Sequence, residues 1–313
     1  MAIPTNIVQT YDLAGNREDL SDVIYNVDPY DTPILSVIAK VKAASTKHEW
    51  QIDALSAATS ATVVEGATAS GAALVSTTRL FNYTAIQERT VVVSGSQEAV
   101  VSAGRPSEAG YQIAKKIKEI KKSIELQLSF TTAKAVGDSD SAREMAGMCT
   151  WIATNDVMGT SGVSSAGTGA DTRTDGTQRA FTEAQFKACL ALVYASGGDP
   201  DMVSLGAFNK QKFSMFSGGA SRFDKAEDAK LVATVDVYRS DFGTLKIVPN
   251  RHQRARDCWV LDSDMWAFAE LRPLRKQLLA ITGDSRSYQL LCEGTLVSRN
   301  EKASGMVADL TTS

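Results

Sequence analysis

Between Lys47 and Gly137 the chain runs through three unlike segments, and their order constrains its fold more than any other feature. From Lys47 to Asp53 the residues alternate, His48, Trp50 and Ile52 against Glu49, Gln51 and Asp53, which predicts a half-exposed strand. In residues 54–78, 19 of 25 are Ala, Ser, Thr or Gly, too little apolar area to order the segment by itself. It is a loop tip or a strip laid across a neighbour. Arg79 to Val93, rich in β-branched and aromatic residues, is the returning strand. A hairpin with so long a connection is atypical inside a compact domain. Arg105-Pro106-Ser107 then supplies a break and a cap, and Gly137 a stop. They predict one helix over about 107–136, on the order of 45 Å long. Ile113, Ile117, Ile120, Ile124 and Leu128 form its apolar stripe. A ribbon and a long helix in tandem have little core of their own. Their buried surface is expected from copies of the same chain, which points to assembly rather than chemistry.

The face opposite that stripe carries Lys115, Lys116, Lys118, Lys121 and Lys122. A solvated face explains them most simply, and loose contact with phosphates is the sharper reading. Over all 313 residues, 33 basic and 36 acidic side chains give a net charge of −3, which argues against a dedicated nucleic-acid binder. A wall that merely encloses DNA is compatible with that charge, because a strongly basic lining would hold the polymer by its phosphates. Cys149, Cys189, Cys258 and Cys292 are scattered without metal-ligand spacing and are expected as buried free thiols of a reducing compartment. The N-terminus has neither a basic nor an apolar leader region, so no secretory signal is expected. No apolar run approaches the roughly 18 residues that span a bilayer, so no membrane partner is expected.

Residues 1–15 lack periodicity and suggest an extended arm. Asn16 caps a predicted helix to Asn26, and Thr32-Pro33 starts a second with Ile34, Leu35 and Ile38 as its stripe. Residues 154–180 have the composition of a linker or long surface loop. A second unit begins at Thr182, with a helix presenting Phe186, Leu190 and Val193, a Gly-Gly-Asp-Pro turn at 197–200 and a buried strand Met202–Leu205. A helix at about Ala207–Phe216 and strands at Leu231–Tyr238, Leu245–Val248 and Cys258–Leu261 follow, with Asp241-Phe242-Gly243 as a hairpin turn. Gln289–Ser298 and Gly305–Leu310 are expected to close the chain as a strand pair across the polar turn 299–302. This order of helices and strands suggests a compact α/β or α+β domain for the second unit.

No residue pattern points to catalysis. His48 and His252 belong to no nucleophile–base signature, and GxSxG, P-loop and HExxH motifs are absent. Asp138-Ser139-Asp140 and Asp262-Ser263-Asp264 fall where turns are expected and are turn residues rather than metal ligands. Catalytic, cofactor-binding and metal-binding residues are therefore expected to be none.

The order of segments, together with Asn16-Arg17-Glu18-Asp19-Leu20, the block Val235–Leu245 and the ending Gly294-Thr295-Leu296-Val297-Ser298-Arg299-Asn300-Glu301-Lys302-Ala303, resembles the major capsid proteins of tailed bacteriophages of the Hong Kong 97 type. The resemblance covers nearly the whole chain. It implies an α+β fold with an N-terminal arm (1–44), an E-loop hairpin reaching over a neighbour (45–96), and a peripheral domain with spine helix and linker (97–180). It further implies an axial domain (181–270) and a return to the peripheral domain (271–313). The implied function is an icosahedral shell around double-stranded DNA, in the virion, assembled in the host bacterial cytoplasm. The implied partners are copies of the chain as hexamers and pentamers, a separate scaffolding protein, a portal, a decoration protein and packaged DNA held without sequence specificity. Trp50, Glu65, Arg79, Glu88 and Arg89 are the implied inter-subunit contacts, and the five helix lysines the DNA-facing ones. No lysine lies between Lys47 and Lys115, so no covalent crosslink from the E-loop is expected. An encapsulin-like nanocompartment, a tail-tube protein and a cytoplasmic hydrolase using carboxylates of 181–270 are the alternatives.

Overall fold

The computed structural model describes residues 31–56, 58–68, 71, 74–216 and 236–313. The helix expected at Asn16–Asn26 and the first part of the strand expected from Leu231 lie outside the described residues. Thr32-Pro33 does open a helix: α1 (Pro33–Val37) has proline at its first position and buries Ile34 completely. β1 (Ala39–Lys42) follows, a strand too short to carry a sequence signal. β2 (Lys47–Ile52) and β3 (Thr78–Tyr83) pair antiparallel as a two-stranded ribbon, with Trp50 opposite Leu80.

The returning strand is not continuous. It breaks at Thr84, and β4 (Ala85–Ser94) enters a different sheet from β3. Ser94 and Ser107 then cap α2 (Gly95–Ala99) and α3 (Glu108–Ser129) by accepting from the backbone N–H groups of Gln97 and Gly110. α3 has 22 residues and is about 33 Å long. It is shorter than expected because Phe130 adopts an extended backbone where residue 147 crosses the helix end. A Cβ on Gly147 would lie 1.8 Å from the Phe130 carbonyl oxygen, so only glycine permits the crossing. Gly137 (φ +69°) sits in a small hairpin bridged between Ala135 and Glu144 and is a turn residue rather than a helix stop.

The second half of the chain supplies β5 (Asp156–Val157), α4 (Glu183–Ala195), β6 (Met202–Leu205), α5 (Ala207–Ser214) and β7 (Val237–Ser240). It continues with β8 (Gly243–Pro249), β9 (Cys258–Leu261), β10 (Trp266–Leu278), β11 (Ser285–Ser298) and β12 (Gly305–Val307). Thr182 and Gln185 form a full capping box on α4. One sheet has the order β1-β10-β11-β4, and a second, six-stranded sheet the order β5-β12-β9-β6-β8-β7. Ile120, Ile124 and Leu128 of α3 pack in one core with Phe268, Leu290 and Leu296 of the first sheet and with Trp259 and Met306 of the second. α4 and α5 bring Phe186, Leu190 and Phe213 onto Val203, Leu205, Ile247 and Val260 of the six-stranded sheet.

Three further expectations are corrected. β11 and β12 are not partners: β11 lies between β10 and β4, and β12 between β5 and β9. The turn expected at 299–302 instead contains a short 3-10 helix, Glu301–Ala303, that carries the chain from one sheet to the other. The strand β10 carries no sequence signal because Arg272, Pro273 and Arg275 interrupt its apolar run. The structure tolerates Pro273 at an irregularity between Arg272 and Arg275, where the ladder is already broken. Residues 154–180 are irregular, as their composition implies, but they are no free linker. β5 pairs with β12, Arg179 N–H donates to the Asp309 carbonyl at 2.7 Å, and Arg173 is buried.

Candidate assembly interface

The ribbon divides into a docked root and a protruding strip. At the root the Trp50 ring meets Trp151 at 5.4 Å, and Leu80 joins the same core. Phe81 lies under two ammonium groups, Lys134 at 3.6 Å and Lys47 at 4.1 Å. Lys134 Nζ also donates to the carbonyls of Phe81 (3.0 Å) and Thr168 (2.7 Å). Burial, with help from the charge of Lys47, lowers the pKa of Lys134. Asn82 is fully buried; its Oδ1 accepts from Ala146 N–H and its Nδ2 donates to the Leu296 carbonyl at 2.9 Å. Thr84, also fully buried, donates to Glu293 Oε1 at 2.7 Å. Glu293 is in turn paired with Arg143 and Arg272, each at 2.6 Å.

Beyond Ile52 and Thr78 the strip carries its large apolar residues in the open. Leu55 and Leu74 are 100% and 97% exposed, and Val63, Val64 and Val75 are each above 80%. A second concave surface lies where β4, the last strand of its sheet among the described residues, faces the N-terminal half of α3. That groove encloses about 590 Å³ between Thr90–Ser94 on one side and Arg105, Glu108, Gln112 and Lys116 on the other.

The residues expected at contacts between subunits are dispersed. Trp50 faces its own chain's core, with its indole N–H buried and without an acceptor. Arg79 pairs across the ribbon with Glu49 at 3.6 Å, and Glu65 is exposed beside Gly66 in the strip. Glu88 and Arg89 are not ribbon charges at all, because the break at Thr84 moves them onto β4. There Glu88 accepts from Gln289 Nε2 at 2.8 Å, and Arg89 donates to Ser123 on α3 at 3.1 Å. On α3, Lys115, Lys118 and Lys122 follow one line of the helix at spacings of three and four, with Lys121 beside it. Lys116 leans instead toward the groove and pairs with Glu119 at 2.8 Å.

Two buried polar clusters escaped the sequence. Glu125 of α3, fully buried, accepts from the backbone N–H groups of Ile34 (3.0 Å) and Leu35 (2.9 Å) and from Asn250 Nδ2 (2.8 Å), fastening α1 to the long helix. Burial raises its pKa, against those three hydrogen bonds. In the second cluster Arg173 contacts Asp175 (2.9 Å), Asp309 (3.1 Å) and Asp257 (3.3 Å), while Arg254 and Arg256 pair with the same acids. Asp309, at φ +60°, also accepts from Gly159 and Gly176 N–H, so it pins the 154–180 segment. Burial raises the pKa of Asp257 despite Arg173 and Arg254. Burial also pushes Asp175 up, but hydrogen bonds and charge from Arg254 and Arg173 outweigh it and hold the group at about 2.

Among the described residues of 181–270, Asp257 is the buried carboxylate, and it is enclosed between Arg173 and Arg254. Among the described residues no three His, Cys, Asp or Glu side chains gather as a metal site, and no helix is long and apolar enough to cross a membrane. The four cysteines are buried and free. Periodicity could not expose Asn82, Thr84 or Glu125, since a buried polar residue in a strand or on a helix flank has the spacing of an exposed one. Arg173 and Asp309 are 136 residues apart and carry no local signal.

A family model described as SU10 major capsid protein matches residues 5–311 of this chain. The major capsid protein of Escherichia phage Phieco32 is 26% identical over 98% of this chain and 97% of its own length. A cyanophage A-1(L) capsid structure superposes with a TM-score of 0.63 at 14% identity, over 99% of this chain and all of that one. A chain from Microbacterium phage Oxtober96 gives 0.62 at 14% identity, over 96% of this chain and 98% of the other.

Proposed function

The chain belongs to the SU10 major capsid protein family and is a shell-building protein of tailed-phage virions, with the Hong Kong 97-type fold; from that premise we propose how its parts serve the shell. Within 45–96 the ribbon 47–83 acts as an E-loop whose strip lies over the next subunit, while β4 (85–94) returns to the first sheet; within 1–44 the part before β1 acts as an arm. The β1-β10-β11-β4 sheet with α3 forms the peripheral part, and the six-stranded sheet the axial part at the five- and six-fold axes. In this division β12 goes with the axial part, because it is paired into that sheet. Copies associate as hexamers and pentamers into an icosahedral shell around double-stranded DNA in the host bacterial cytoplasm. A scaffolding protein, a portal and a decoration protein are the further partners, and the chain has no catalytic role. Contact with DNA through Lys115, Lys118, Lys121 and Lys122 is loose and sequence-independent.

One observation carries this proposal: five large apolar side chains of the strip stand 81–100% exposed in the isolated chain. Exposed apolar side chains clustered on one protruding segment mark a surface made to be covered, and a shell of identical copies supplies the cover. Standard interfaces bury about 1,600 Å², and a strip laid over a neighbour provides area on that scale. Negative-stain microscopy of the purified chain tests the proposal. Closed shells of uniform curvature are expected. Stacked rings, or only small soluble particles under all assembly conditions, overturn it.

A further inference from the structure

The ribbon root is fastened by buried polar contacts from three separate segments at nearly successive positions. The Phe81 carbonyl is held by Lys134, the Asn82 side chain by Ala146 and by Leu296 of β11, and the Thr84 hydroxyl by Glu293. Thr84 N–H also donates to the Thr46 carbonyl at 2.9 Å, closing the base of the hairpin. On the other strand Trp50 is seated against Trp151. A swing of the ribbon about residue 84 would break several of these contacts together and leave buried donors and acceptors without partners, which is costly. Hinges sit where few buried contacts resist a backbone rotation. No glycine occurs at 43–53 or 78–94, and every ribbon-side glycine lies in the strip.

We infer that Asn82, Thr84, Lys134 and Glu293 are positioning residues for shell assembly: they fix the direction in which the ribbon leaves the subunit. The six residue pairs from Lys47–Tyr83 to Ile52–Thr78 then move with the subunit body. Adjustment to a neighbour falls to the strip beyond them. The inference rests on the proposed role of the ribbon in reaching a neighbouring subunit. It adds that the direction of reach is built into the lone chain rather than imposed by the partner.

Hydrogen exchange followed by mass spectrometry, on the unassembled full-length chain and on assembled shells, tests this. Peptides covering 78–84 are expected to exchange equally slowly in both, while peptides covering 58–68 slow by about tenfold or more on assembly. Slowing of 78–84 on assembly by about tenfold means the root is loose until a neighbour holds it, and overturns the inference. Two variants carry the test to shell geometry. Thr84→Val removes the hydroxyl that reaches Glu293, and Lys134→Met keeps the alkyl stem but not the ammonium. Each is expected to assemble into particles of mixed diameter, with Thr84→Ser restoring a single diameter. A merely structural role would lower yield or thermal midpoint and leave diameter alone, so uniform shells of wild-type diameter from both variants refute it. If the wild-type chain forms no shells, the shell proposal fails instead, and fast exchange of 78–84 in the unassembled chain still decides against the fixed root.

Discussion

Removing the Arg173 guanidinium should unbalance the buried cluster in a way that can be measured and reversed. Arg173, Asp257 and Asp309 have fully buried side chains, and three arginines (173, 254, 256) face three aspartates (175, 257, 309), for a net charge of zero. Arg173→Met leaves the cluster at −1, with Asp257 deprived of its 3.3 Å partner. Breaking a buried pair from one side costs about 3–5 kcal/mol. With an unfolding entropy of about 2.1 cal/mol/K per residue, ~4 kcal/mol lowers the midpoint of this 313-residue chain by about 6 °C. Calorimetry of the unassembled chain reads that shift directly. Adding Asp257→Asn returns the cluster to neutrality and should recover part of the loss. The penalty should also shrink as pH falls. Asp257 already has a raised pKa in the fold, so the folded state binds its proton more tightly than the unfolded state, and acid favours folding through this group. Loss of Arg173 pushes the group higher still. A midpoint drop below about 2 °C, or no recovery in the double variant, would refute the idea that uncompensated charge is what Arg173 prevents.

Three other outcomes are expected. Glu125→Ala strands the N–H groups of Ile34 and Leu35 and the amide of Asn250. It should cost about 1–3 kcal/mol, visible as a lower urea midpoint and faster proteolysis around 31–38. Asp175, depressed to about 2, contributes stability above the ordinary carboxylate pKa of 3.8, and that stability is lost as pH falls through about 2. An acid titration followed by circular dichroism should therefore show an unfolding limb in that window that Asp175→Asn flattens. Intact shells boiled in denaturant should give a monomer band, since no lysine lies between 47 and 115 and Lys47 itself is held at the ribbon root against Glu49 and Phe81; a ladder of covalent multimers would contradict this.

The elements legible in the sequence are those whose cause is local. β2 shows through the alternation of His48, Trp50 and Ile52, the start of α3 through Ser107, and α4 through Thr182 with its apolar face. What stayed hidden is set by distant chain. α3 ends where the backbone of Gly147 crosses it, and the break in the returning strand is made by Glu293 holding Thr84. β10 hides because Pro273 sits at an irregularity that only the folded ladder creates. Among candidate interface residues the strip was legible from its lack of core-forming side chains. Trp50 was not, because a large aromatic in a half-exposed strand fits its own core and a partner's equally well, and here it faces its own.

The composition of the strip also governs the life of a subunit before it meets another. Leu55, Val63, Val64, Leu74 and Val75 are open to water, and short apolar stretches with high β-propensity and little charge are the usual seeds of aggregation. Here the apolar residues come singly or in pairs, set among Ala, Ser, Thr and Gly, with Glu65 directly after Val63-Val64. That spacing keeps any one window too weak to template a stray strand, and the flanking charge acts as a gatekeeper. On the proposed shell role, the small-residue character of the strip is expected to limit aggregation of a subunit before it is covered.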